Sequence, residues 1–280
     1  MTEPPAVFTP PSIVVGVDGS AAAERAARWA VDEAVGRGLP LHLLAAFSGP
    51  ETRRRAEAAI GSAAAAVAAD GHPVTVTTEV VTGDPAAVLQ AASRTAAMIC
   101  VGAVGLDQVD HPVGSTVRSL AASAHCPLAV VRGSGGNGRG APGDGGSGWV
   151  VTELDETPDS AAVLQYAVDE ARLRGTALRV LGTWQSGGND DAAPDERGRT
   201  VRAHLDRRIE TWKHRYPDLD VLPVAVPGSG LEYLAAHGAD IALIVIGARN
   251  VIAVNELLGP AGLTALPDTS VLILDRQRLL

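Results

Sequence analysis

Short apolar runs alternate along the chain with longer segments whose apolar residues recur at helical spacing, and the alternation names the elements. Ile13–Val17 predicts a strand that ends in the turn residues Asp18-Gly19-Ser20. Ser20 is a good N-cap, and Glu24–Gly38 predicts a helix closed by its glycine. Leu41–Ala46 predicts the second strand, Glu51–Ala69 an alanine-rich helix, and Val74–Val81 the third strand. Gly83-Asp84-Pro85 opens another helix, with Asp84 as N-cap and Pro85 at the first helical position. Ile99–Val101 is the centre of a fourth strand; a loop, a helix over 115–123 and a fifth strand, Leu128–Val131, follow. Strands and helices in this alternation predict a doubly wound α/β domain with a five-stranded parallel sheet in the order 3-2-1-4-5.

The pattern then repeats. Trp29-Ala30-Val31-Asp32-Glu33-Ala34 returns as Tyr166-Ala167-Val168-Asp169-Glu170-Ala171, an offset of 137 residues. The same offset carries Asp18 onto Asp155, Ser20 onto Thr157, Arg37-Gly38 onto Arg174-Gly175 and Leu41 onto Leu178. A period this long marks duplication of a whole domain, not a solenoid. Strands are expected near Val150–Leu154, Ala177–Leu181, Val221–Val226, Ala242–Ile246 and Val271–Leu274. Between the copies, 132–148 is almost all Gly, Ser, Asn and Pro with two arginines, a flexible linker that spans about 20–25 Å as a coil. The expected domains are therefore 1–131 and 149–280. Pairing through the fifth strands, Leu128–Val131 and Val271–Leu274, would cover an apolar sheet edge on each.

Composition narrows this picture. Hydrophobic residues make up 46% of the chain but aromatic ones only 3%, so the cores must be Ala, Val, Leu and Ile, as in helices packed on a parallel sheet. A net charge of −9 argues against nucleic acid and anionic membrane as partners. Lys213 is the only lysine, and the runs Arg53-Arg54-Arg55 and Arg207-Arg208 fall on helices, where a solvated face is expected. Cys100 and Cys126 each adjoin an apolar run and are expected to be buried thiols in a reducing compartment. No signal peptide or membrane-length apolar run is visible, so a cytoplasmic location is expected. The seven histidines have no ligand spacing, and no Walker loop, Gly-x-Ser-x-Gly elbow or His-Glu-x-x-His motif occurs.

The chemistry is expected at the carboxyl ends of the strands. Val17, Asp18, Gly19 and Ser20 follow the first strand, and Gly102 and Gly105 follow the fourth. Gly114, Ser115 and Thr116 open the next helix. Glycines let a backbone approach a phosphate, and a helix start offers N–H groups and the positive end of the dipole. By residue type alone, this loop reads equally as a phosphate cradle or as ordinary turns.

The opening strand Ile13-Val14-Val15-Gly16-Val17-Asp18-Gly19-Ser20, the stretch Gly83-Asp84-Pro85-Ala86 and the closing strand His125-Cys126-Pro127-Leu128-Ala129-Val130-Val131 together resemble the universal stress protein family. Gly102-x2-Gly105 followed by Gly114-Ser115 resembles the Gly-x2-Gly-x9-Gly-(Ser/Thr) motif of its ATP-binding members, with eight residues in place of nine between Gly105 and Gly114. The resemblance implies ATP as the ligand, with or without Mg2+, its adenine near Ala46 and its sugar and phosphates near Asp18. It implies a stress-response regulator that changes shape or partner with nucleotide, and hydrolyses ATP weakly at most. It also implies homo-oligomerisation or pairing of the two domains. The alternative is a dimerisation module of the same fold that binds no nucleotide.

The second copy departs from the motif. Glu156 replaces Gly19, and an offset of 145 puts Gly247 on Gly102, Asn250 on Gly105, Gly259 on Gly114, Pro260 on Ser115 and Ala261 on Thr116. Proline removes an N–H and alanine a hydroxyl, so this copy is expected to be structural and nucleotide occupancy to be asymmetric. Ser186-Gly187-Gly188-Asn189-Asp190 resembles a pyrophosphatase loop, but it follows the second strand of its domain, not the first, and is expected to be surface.

Overall fold

In a computed structural model, residues 11–104, 114–133, 148–155, 157, 159–184 and 194–274 are described. The first half runs β1 (Ile13–Gly16), α1 (Ala21–Arg37), β2 (Leu41–Phe47), α2 (Pro50–Ala69), β3 (Val76–Thr82), α3 (Pro85–Ala92), β4 (Met98–Gly102), α4 (Ser115–Ser123) and β5 (Leu128–Val131). The second runs β6 (Trp149–Glu153), α5 (Ser160–Arg174), β7 (Leu178–Trp184), α6 (Pro194–Arg215), β8 (Val221–Pro227), α7 (Gly230–Ala236), β9 (Ile241–Gly247), α8 (Val251–Leu258), α9 (Pro260–Ala265) and β10 (Ser270–Leu274). Local chemistry sets the ends. The Ser20 hydroxyl accepts from the Ala23 N–H at 3.1 Å, so α1 begins at Ala21, three residues before the amphipathic pattern suggests. Gly38 and Gly175 close α1 and α5 with φ of 64° and 63°, a conformation that favours glycine.

The ten strands among the described residues join one sheet, in the order β3-β2-β1-β4-β5-β10-β9-β6-β7-β8. Each half keeps the expected parallel 3-2-1-4-5 order. The halves meet through β5 and β10, which pair antiparallel with Val130 opposite Val271 and Leu128 opposite Ile273. The two expected sheets are therefore one, and neither fifth strand is an open edge. β7 runs three residues past the expected Leu181, because Gly182 lets Val201 and Leu205 of α6 pack where a Cβ would stand. Pro223 and Pro227 lie in β8, the edge strand, where a missing N–H costs no ladder bond on the open side.

Alternate residues of each strand face opposite layers. Ile13, Val15, Leu41, Leu43, Met98 and Cys100 pack under α1 and α2, while Val14, Leu44, Ile99 and Val101 face the side of α3 and α4. Both cores run unbroken across the β5–β10 junction. Cys100 and Cys126 are buried free thiols, and burial pushes the Cys100 thiol well up.

The signature that reveals the duplication also welds the halves. α1 and α5 meet over the junction, and Glu33 and Arg37 interlock with their counterparts Glu170 and Arg174. Glu33 bonds Arg37 at 3.1 Å and Arg174 at 2.5 Å, and Glu170 pairs with both arginines. Both glutamates are fully buried. Arg174 lies over the Trp29 ring at 5.3 Å and Arg37 over the Tyr166 ring at 5.7 Å, the same contact in each direction. Burial and the neighbouring Glu33 push Glu170 up to about 7, although Arg174 and Arg37 pull it down. Beyond β5, Arg132 is buried and donates to the carbonyls of Leu257 (2.6 Å) and Leu266 (3.4 Å), at the ends of α8 and α9. Burial lowers it to about 10.

Candidate functional site

β1 is flanked by β2 and β4, so the sheet's winding reverses beside it and the helices on either side splay apart. A cavity of about 280 Å³ opens there, at the carboxyl ends of these strands. Eight of the ten residues expected from sequence line it: Val17, Asp18 and Ser20 from the first turn, Ala46 from β2, Gly102 from β4, and Gly114, Ser115 and Thr116 from the start of α4. Gly19 is not among them; it stands in the Asp18–Ser20 turn with φ of 87°, so its glycine serves the backbone. Gly105 lies outside the described residues. Leu44, Val88, Leu89 and Val101 add an apolar wall, and Asp84 a second carboxylate. In sequence Leu44 and Val101 are legible only as strand residues, and Val88 and Leu89 only as part of the helix that Asp84 opens. Asp84 was legible only as a helix cap, with no signal that it faced the cavity.

Three helices begin around the cavity, and they differ in how their first N–H groups are met. Ser20 caps α1, and the Asp84 carboxylate accepts from Ala87 at 3.0 Å to cap α3. At α4 the N-cap is Gly114, which has no side chain to offer. Its own N–H bonds the Ala103 carbonyl at 3.2 Å, which fixes the helix start beside the end of β4. The start of α4 thus presents N–H groups, a positive dipole end and the hydroxyl-bearing Ser115 and Thr116 to the cavity, an arrangement suited to an anion.

The glycines separate by cause. A Cβ on Gly102 would fall 2.6 Å from the Ala22 carbonyl carbon, so this glycine lets α1 pack on β4. A Cβ on Gly16 would meet Leu89 at 2.8 Å. Among the described residues Gly114 has neither reason: its φ and ψ of −58° and 148° suit any residue, and the nearest described atom to an added Cβ, the Ala103 carbonyl oxygen, is 4.0 Å away. What its missing side chain leaves open is the cavity.

A second hollow of about 220 Å³ shares Val17, Asp18, Ala46 and Pro85 with the first and is lined beyond them by Thr52 and Arg55 of α2. Arg53, Arg54 and Arg55 are all exposed, as the solvated-face reading expects. Arg53 pairs with Glu57 at 2.8 Å and lies over the Phe47 ring, whereas Arg55 borders the hollow.

A family model described as the universal stress protein family matches residues 11–132. A universal stress protein of Mycobacterium tuberculosis is 39% identical over 284 residues, covering 96% of this chain and 98% of its own length. A second from that organism is 38% identical over 256 residues, covering 89% and 91%. This chain belongs to the universal stress protein family. The crystal structure of a universal stress protein from Archaeoglobus fulgidus has the same fold over 95% of this chain and 96% of its own, with a TM-score of 0.66 at 14% identity. Among the described residues of this universal stress protein no helix is long and apolar enough to cross a membrane, and no three His, Cys, Asp or Glu residues group as metal ligands.

In the second half of this universal stress protein the equivalent space between the described residues shrinks to about 10 Å³. Sequence reading blamed Pro260, Ala261 and Glu156; Glu156 lies outside the described residues, and the structure supplies two larger causes. Glu153 occupies the place of Gly16 and sends its side chain into the space, where Thr183 donates to it at 2.9 Å. Burial raises the Glu153 carboxyl, with Asp155 and Glu256 adding to the rise against the Thr183 hydrogen bond. The segment that matches 105–113 forms α8, whose last turn lies on the start of α9: a Cβ on Gly262 would fall 2.6 Å from the Leu257 carbonyl oxygen. The end of α8 thus covers the start of α9. Asp155 still closes its turn, accepting from Thr157 at 3.0 Å.

Proposed function

We propose that this universal stress protein is a regulatory protein that binds one adenine nucleotide per chain, ATP with or without Mg2+ being the expected form, in the half formed by residues 1–131. On this reading 132–148 is a linker and 149–280 a supporting domain whose own site is closed. Gly114 carries the proposal: it is a glycine with no packing or backbone requirement among the described residues, it gives α4 no side-chain cap of its own, and it stands beside a cavity lined by seven of the other expected residues. The size of the cavity supports a ligand of nucleotide scale when the adjoining hollow is added. The pairing that a pure dimerisation module would supply is already met inside one chain by β5 and β10.

A switch reading is supported by α4. Its first turn lines the cavity, while Arg118, Ala121 and Ala122 on its flank form one wall of an inter-half groove of about 490 Å³. Val251, Val254 and Leu258 of α8 form the other wall, and Val251 and Ile252 are exposed at 59% and 73%. A nucleotide that shifts α4 would reshape that apolar groove and so change what it binds. Calorimetric titration with ATP and Mg2+ tests the proposal. One site per chain is expected at saturation; two sites, or no binding, would refute it.

A further inference from the structure

On one side of the sheet α1 and α5 meet over the seam between β5 and β10. On the other side α4 and α8 leave the groove of about 490 Å³ between them. α4 leads into β5, and α8 leads through α9 into β10, so the two strands of the seam carry the groove's walls. Val251, Val254 and Leu258 line it from one stripe of α8, and Ala121 and Ala122 line it from α4. Arg118 is its one charged residue among the described ones, so little of the chain's net charge of −9 stands on this surface to hold two copies apart. Ile252 lies outside the groove, about 100° around the helix from Val251. It is the most exposed large apolar side chain among the described residues, at 73%, and Val251 is next at 59%.

An apolar knob and an apolar hollow thus stand side by side on one helix. A lone surface isoleucine needs no explanation, but one beside an open apolar groove marks an interaction site. A two-fold axis beside α8 lets each copy of the chain seat its Ile252 in the other's groove. One patch then supplies both sides of the contact, and assembly closes at two. We infer that the groove between α4 and α8 is a self-association surface, filled by Val251 and Ile252 of a second copy of this chain. The contact continues the seam that already joins the two halves. It is small, so pairing is reversible, with a Kd of about 10–100 µM. It stands whether or not nucleotide binds.

The experiment is sedimentation velocity of the nucleotide-free full chain from about 2 to about 400 µM, a range that brackets this affinity. The mass of one chain is expected at the low end and of two at the high end. Ile252→Asp puts a carboxylate on the knob, in the first turn of α8, where the helix dipole favours it. Ala122→Arg fills the groove from the last turn of α4, where the dipole favours a cation. Both positions are exposed, so each variant should keep the parent's Tm, and each alone should weaken pairing about tenfold or more. An equimolar mixture of the two variants should regain it, because one copy's new carboxylate meets the other's new guanidinium while the opposite contact is unaltered. The mass of one chain throughout, a mass growing past two, single variants that pair like the parent, or a mixture that stays unpaired each overturns the inference. Residues 275–280 follow β10 beside the groove, where Ala248, one of its lining residues, bonds the Leu274 carbonyl at 2.9 Å. An unpaired chain in which Leu279→Ser raises hydrophobic-dye binding would give the groove to that segment and overturn pairing as well.

Discussion

Gly102 and Gly114 belong to one motif, yet the structure gives them opposite reasons, and paired substitutions separate these. An alanine at 102 places its Cβ 2.6–2.7 Å from the carbonyl group and Cβ of Ala22, in the first turn of α1. The obstacle is mostly backbone, so no rotamer change relieves it, and α1 must lift from β4. Overpacking of this kind costs about 1–3 kcal/mol. At about 2–4 °C per kcal/mol for a chain of this size, Gly102→Ala should lower Tm by roughly 2–12 °C. Among the described residues Gly114→Ala meets nothing nearer than the Ala103 carbonyl oxygen at 4.0 Å, and it needs no unusual φ. It gains about 0.4–1 kcal/mol from a less flexible unfolded chain and loses a similar amount as a poorer N-cap, leaving Tm nearly unchanged. Gly114→Val adds two more carbons on the cavity side of the same position. Losing one charge-assisted contact costs about 1.5–3 kcal/mol, or roughly ten- to a hundredfold in nucleotide affinity. Scanning calorimetry reads the first quantity and titration with ATP and Mg2+ the second. If Gly114→Val lost as much Tm as Gly102→Ala, or bound nucleotide like the parent, the division of the motif into a packing glycine and a ligand glycine would be wrong.

Other substitutions test the weld and the closed half. Glu33→Ala leaves Arg174 with Glu170 as its remaining carboxylate partner in a buried cluster and should cost about 3–5 kcal/mol in urea unfolding; a loss below about 1 kcal/mol would mean the cluster contributes nothing. Arg132→Met should cost about 1–3 kcal/mol by orphaning the Leu257 and Leu266 carbonyls, and an unchanged midpoint would refute this. The folded state holds the Glu153 proton more tightly than the unfolded chain does, so Glu153 costs stability once pH rises above the ordinary carboxylate range and up through its raised value. Glu153→Gln should therefore match the parent near pH 4 and exceed it near pH 8, with equal stability at both refuting the assignment.

Much of the fold lies in local chemistry, and local chemistry is legible in sequence. Ser20 and Asp84 cap helices because a short polar side chain reaches a nearby N–H, and Gly38 closes α1 because few other residues adopt its φ. The alternation of strands and helices, the 137-residue repeat and the pairing of the fifth strands needed only periodicity and the cost of an open edge. The gathering of eight site residues at one strand-end edge followed from the topology that this alternation implies.

Tertiary structure decided whatever depends on a neighbour distant in the chain. Gly102 and Gly114 look alike in sequence, and only their neighbours among the described residues tell them apart: Ala22 packs against one, and nothing nearer than 4.0 Å faces the other. Glu33 and Arg37 form an ordinary i,i+4 helical pair; their burial against Glu170 and Arg174 exists only because the halves join. Glu153 reads as a polar end to a strand, yet it fills the space that Gly16 leaves open in the first half. A residue's type sets what it can do, but its use is set by the partner the fold brings to it, and contacts between residues far apart in the chain leave no period in the sequence.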